Sequence, residues 1–76
     1  MEKIKENIKK VKIETDYIKL DSFLKLAGAA STGGYAKMVI TGGEVKVNGI
    51  PCFMRGKKLH ENDTVTFEDE TYMVVK

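Results

Sequence analysis

The spacing of apolar residues changes period several times along the chain, and each change predicts an element. Val11-Lys12-Ile13-Glu14-Thr15 alternates apolar and polar positions, as a half-buried strand does. Leu20, Phe23, Leu24 and Ala27 then recur on one helical face, with Asp21 favourable in the first turn and Gly28 placed to end the helix in a left-handed cap. After the short connection Ala29-Ala30-Ser31, the Thr32 hydroxyl can cap a second helix. Ala36, Val39 and Ile40 form its apolar stripe, and Gly42-Gly43 its stop. Alternation returns in Glu44-Val45-Lys46-Val47, followed by Asn48-Gly49, the dipeptide suited to a tight hairpin turn, and a strand through Ile50 and Cys52. Asn62-Asp63 marks another turn, Thr64 to Phe67 a strand, Glu68-Asp69-Glu70 a charged turn and Thr71 to Val75 a last strand.

These elements predict an α+β fold in which two short packed helices cover one face of a small, curled antiparallel sheet. Residues 11–76 form the single domain. Residues 1–10 are read as a flexible or weakly helical tail, because Ile4, Ile8 and Val11 admit an amphipathic turn without requiring one.

Length and composition narrow the function. A chain of 76 residues is near the lower limit for a fold held by a hydrophobic core alone, which argues against a deep internal active site. The single cysteine, Cys52, cannot form an internal disulfide, and no cluster of thiols or histidines offers a metal cage, so no cofactor is expected. Apolar stretches are short and the N-terminus lacks a signal-peptide core. The expected protein is cytoplasmic, monomeric and free of the membrane.

Net charge is +2, but its distribution is lopsided. Residues 17–60 carry Lys19, Lys25, Lys37, Lys46, Arg55, Lys57 and Lys58 against Asp21 and Glu44, whereas residues 61–76 carry Lys76 against five acids. A basic middle suits a polyanionic partner; ordinary solvated surface is the other reading of charge alone.

The segment Ser31-Thr32-Gly33-Gly34-Tyr35-Ala36-Lys37 is the most informative. The first amides of a helix lack internal partners and sit at the positive end of its dipole, and glycine lets a phosphate approach them. Lys37 follows Gly33 by four residues and shares its face. Alternatively, Thr32 is only a cap and the glycines only permit a tight connection. The pattern is not a nucleotide P-loop, which needs a longer loop closed by Gly-Lys-Ser/Thr after a strand. Lys19, Lys46, Arg55, Lys57 and Lys58 can flank this corner and meet successive phosphates. Tyr35 can stack on an unpaired base or pack at the core edge, and Asn48 is first a turn residue and second a hydrogen-bonding contact. His60 has no nucleophile to activate, Cys52 reads as a small apolar residue, and Glu68-Asp69-Glu70 reads as solvent-facing.

Three runs in order, Ile18 to Leu24, Thr32 to Lys37, and Gly43 to Gly49, resemble the RNA-binding domain named after ribosomal small-subunit protein four. The likeness covers about residue 14 to the end. The Thr-Gly-Gly-x-Ala-Lys version, without a second domain, is similar to a short stand-alone bacterial subfamily called YaaA, related to YbcJ. The resemblance implies an αL-type RNA-binding motif that recognises structured RNA, with ribosomal RNA or an assembling ribosomal subunit as the expected target. Lys19, Thr32 and Lys37 would sit where the family places its arginine, hydroxyl and arginine contacts. Gly33 departs from the pattern, since many members carry an arginine there; a guanidinium fork is exchanged for exposed amides.

Two other classes compete with this one. A protein-interaction adapter would use the same basic face on an acidic surface. A ubiquitin-like sulfur carrier would need a C-terminal Gly-Gly tail, and this chain ends Val74-Val75-Lys76. No enzymatic activity is expected, for want of a paired acid, base or nucleophile.

Overall fold

A computed structural model describes residues 8–76. Strand β1 (Ile8–Lys12) and the two-residue β2 (Ile18–Lys19) precede helices α1 (Leu20–Leu26) and α2 (Gly33–Thr41). Strands β3 (Val45–Val47), β4 (Ile50–Pro51), β5 (Lys58–Leu59), β6 (Thr64–Phe67) and β7 (Glu70–Val75) follow. Five of them form one sheet in the order β1-β7-β6-β3-β4, while β2 and β5 pair separately.

The helices end for local reasons. In α1, Gly28 N–H donates to Lys25 O and Ala29 N–H to Leu24 O; in α2, Gly43 N–H donates to Ile40 O and Glu44 N–H to Val39 O. Both are the paired bonds of a Schellman cap, and Gly28 and Gly43 each take φ +81°, the left-handed region that a side chain disfavours. The Asn48-Gly49 turn has positive φ at both central residues, as a two-residue hairpin turn requires.

The core lies between the helices and one face of the sheet. Leu20, Phe23 and Leu24 of α1 and Ala36, Val39 and Ile40 of α2 meet Val45, Val47, Val65, Phe67, Tyr72 and Val74, all buried. Phe23 sets its ring edge-on to Tyr72, with centroids 6.4 Å apart. Ile13 and Leu59 close the core outside the helices.

The α+β class and both helices follow the sequence, and the sheet adds one relationship that periodicity does not contain. Every other pairing is antiparallel, but β1 runs parallel to β7, with Ile8 beside Thr71 and Lys12 beside Val75. The sheet is therefore mixed. Strand β1 also begins at Ile8, so Ile8, Lys9 and Lys10 belong to the sheet and not to a tail, and Lys9 meets Glu70 at 3.3 Å. The rest of the expected tail, residues 1–7, lies outside the described residues. Likewise Glu70 opens β7, leaving Glu68 and Asp69, both at positive φ, as the turn. Among the described residues no helix is long and apolar enough to cross a membrane, and no group of three or more His, Cys, Asp or Glu could hold a metal ion.

Candidate nucleic-acid interface

The start of α2 is built by Thr32. Its backbone is extended (φ −139°, ψ 161°), its Oγ1 accepts the Tyr35 N–H at 3.1 Å, and its carbonyl accepts the Ala36 N–H. The amides of Gly33 and Gly34 find no acceptor among the described residues, as expected for the first turn of a helix. Neither glycine is demanded by the fold. A Cβ at Gly33 would meet nothing within 4 Å and one at Gly34 only Thr32 Oγ1 at 4.0 Å, and neither residue has positive φ. A tight connection thus does not require these glycines, and without side chains they leave the two amides open to approach. Lys37 is exposed one turn on, opposite the buried Ala36, Val39 and Ile40. Tyr35 leans edge-on against Phe67, centroids 6.4 Å apart, with part of its ring exposed.

A second group of cations gathers at the start of α1. Lys19 occupies the N-cap position without a side-chain cap; the loop after β4 supplies one from its backbone. Leu20 N–H donates to Lys57 O at 2.8 Å and Asp21 N–H to Arg55 O at 3.1 Å, while Lys19 pairs with Lys58 across β2 and β5. These bonds carry Arg55, Lys57 and Lys58 to Lys19. They also occupy two amides of α1, so this end attracts an anion through side-chain charge and not through open N–H groups. Lys58 is held with its Nζ 4.8 Å from the centre of the Tyr17 ring, a cation–π contact that sequence reading missed. Helix α1, about 10 Å long at 1.5 Å per residue, separates this group from the Thr32 corner.

Among the described residues, Lys19, Lys37, Arg55 and Lys57 take part in no ion pair; those present join Lys9 to Glu70 and Lys76 to Asp16. Among the described residues no carboxylate is therefore paired with these four cations, although Asp21, in the first turn of α1, lies next to the Lys19 group.

Two expected site residues are placed differently. Lys46 stands between the buried Val45 and Val47, so the two-residue period turns it to the sheet face away from the helices, beside Thr66, and it does not join the helix corner. Asn48 is committed to the fold. Its Oδ1 accepts from Thr64 N–H at 2.9 Å and from the Thr64 hydroxyl, and its Nδ2 donates to Asp63 Oδ1 at 3.2 Å. Asn48→Ala removes these bonds and places alanine at φ 53°, and is expected to cost about 2 kcal/mol in urea unfolding. A loss below about 0.5 kcal/mol would contradict this role.

The sequence places Ile50 in a strand and reads Met54 as core filler or an exposed strand side chain, and does not join them with Phe53 into an apolar cluster beside the cations. Ile50, Phe53 and Met54 are 68%, 59% and 66% exposed. The signal available was Phe53-Met54 directly before Arg55, in a segment with no alternating polar pattern to bury them.

Residues 11–75 match the family described as the S4 domain. The chain belongs to the S4 domain family. The S4 domain of this chain is similar to the probable ribosome maturation protein RlbA of Bacillus subtilis, with 43% identity over 58 residues that span 76% of this chain and 82% of that protein. In structure it is similar to YbcJ from E. coli, with a TM-score of 0.71 and 28% identity, covering all of this chain and 98% of that one. YbcJ is described as revealing an αL motif involved in RNA binding.

Proposed function

We propose that this S4 domain is a non-catalytic module that binds structured RNA in the cytoplasm, with ribosomal RNA or an assembling ribosomal subunit as its target. The observation that carries the reading is the pair of anion-attracting groups on the helix side: open Gly33 and Gly34 amides with Lys37, and Lys19 with Arg55, Lys57 and Lys58. Amides and cations suit phosphate oxygens, which position a protein on RNA without reading its sequence. The groups brought together offer no acid–base pair or nucleophile, so no reaction is assigned. The names of the two similar proteins, one a ribosome maturation protein and the other carrying an RNA-binding motif, support the same reading. The Lys46 face, turned away from this side, is left as a separate place for further phosphate contact.

The test is an amide chemical-shift titration with structured ribosomal RNA fragments at several salt concentrations. Shifts are expected at Lys19, Thr32 to Lys37 and Arg55 to Lys58. If five cations meet phosphates, log affinity should fall with log salt at a slope of about −4. Binding that is insensitive to salt, or shifts clustered away from both groups, would refute the proposed surface. The competing reading, an adapter for an acidic protein, draws on exposed Ile50, Phe53 and Met54. Competition by RNA separates the two, because an adapter keeps its partner when RNA is added.

A further inference from the structure

We infer that the pocket beneath the exposed hairpin residues receives an unpaired nucleobase of the bound RNA, making this corner a base-stacking site next to the phosphate-binding one. The inference rests on the RNA-binding reading and adds a second kind of contact to it.

The pocket has a volume of about 430 Å³, within the ordinary range for a small planar ligand. Ile50, Pro51, Phe53 and Met54 supply apolar wall, and Lys57 stands at its edge. Lys57 is also the residue whose carbonyl caps α1, so the pocket and the basic group share one loop. A base seated here leaves its phosphate beside Lys57, in the same segment as Arg55 and Lys58. No carboxylate lines the pocket, which agrees with a polyanionic occupant.

The aromatic wall is held in place. A Cβ built on Gly43 would come within 2.9 Å of Phe53 Cε2, so the ring rests against the bare backbone at the end of α2 while 59% of the residue stays exposed. An exposed ring fixed from one side offers a stacking surface at little cost in side-chain freedom. The polar groups are already occupied: Asn48 is tied to Asp63 and Thr64, and the Cys52 thiol points to the Met54 carbonyl at 3.7 Å. With only Lys57 uncommitted, the pocket can stack a base but has little means to read its edge, so it should tolerate any base. Eight residues line it, well short of the roughly 20–30 that each side of a stable protein interface provides.

The experiment compares two RNA hairpins with the same stem, one closed by a loop of unpaired adenosines and the other by the same loop built of abasic nucleotides. The wild-type chain is expected to bind the adenosine loop about tenfold more tightly, within the range that base–aromatic stacking contributes. Phe53→Leu keeps apolar volume but loses the aromatic face, and Phe53→Ala removes both. Each should abolish the preference while leaving affinity for the abasic hairpin unchanged, and an unaltered amide spectrum elsewhere confirms the fold. Equal binding of both hairpins by the wild type, or an undiminished preference in Phe53→Leu, overturns the base pocket while the RNA reading stands, and hands the apolar cluster to a protein partner. If the wild type binds neither hairpin at low salt, both readings fall.

Discussion

Replacing Lys19 and Lys37 together by glutamate is expected to lower affinity for structured RNA at least about a hundredfold while leaving the fold intact. Two unit charges 4 Å apart in bulk water interact by about 1 kcal/mol, and reversing a charge turns that attraction into repulsion, so two reversals beside phosphates multiply to roughly three decades. Salt in a working buffer reduces this toward the lower figure. The fold should survive because neither side chain is buried or engaged: Lys19 serves the N-terminus of α1 through its backbone, and Lys37 projects from the exposed side of α2. The control is Lys10→Glu with Lys12→Glu. Those lysines lie beside Met73 and Val75 on the sheet face away from the helices, so they change net charge equally without touching either group. Binding measured by fluorescence anisotropy should fall far less in the control. Comparable losses in both double variants would mean that net charge, and not this surface, governs association.

Phe23→Ala should be the most damaging single core change, lowering unfolding free energy by about 3–5 kcal/mol. Phe23 is fully buried, and its ring joins α1 to Tyr72 of β7. In a chain of 76 residues the whole stability is about 4–11 kcal/mol, so the loss removes at least about a quarter of it and, at the lower end of that range, unfolds the variant. Urea unfolding of wild type and variant measures the difference. A loss below about 2 kcal/mol would show that the sheet and α2 close over the vacated space, and that α1 is not anchored through this ring.

What could be read from the sequence was what neighbouring residues decide. The stripe Ala36-Val39-Ile40, the Thr32 cap, the terminators Gly28 and Gly43 and the Asn48-Gly49 turn all depend on interactions within a few positions, and each stands where the pattern put it. Pairing across the chain was not legible. Alternation says that Val11 and Ile13 share a face but not that β1 will lie parallel to β7. The two-residue ladder of β2 and β5 is too short to have a period at all. For the candidate site the same division holds. The Thr32 corner is a local motif, whereas Arg55 to Lys58 reach Lys19 through backbone hydrogen bonds to Leu20 and Asp21, which side-chain identity does not encode. Lys46 is the instructive case. Its place between two core valines already put it on the opposite face, but a list of cations ordered by sequence conceals that alternation.

The position of β1 at the sheet margin has a consequence for how the molecule keeps company with copies of itself. An uncovered outer strand offers a row of unpaired amides and carbonyls to any passing chain and is a common starting point for aggregation. Lysine occupies three of the five positions of β1, so an incoming copy of the same strand would bring like charges together in any register that pairs three or more residues. At the opposite margin β4 is two residues long and ends in Pro51, which has no N–H to donate. Among the described residues both margins are thereby poor templates for strand addition, which disfavours self-association through the sheet edges.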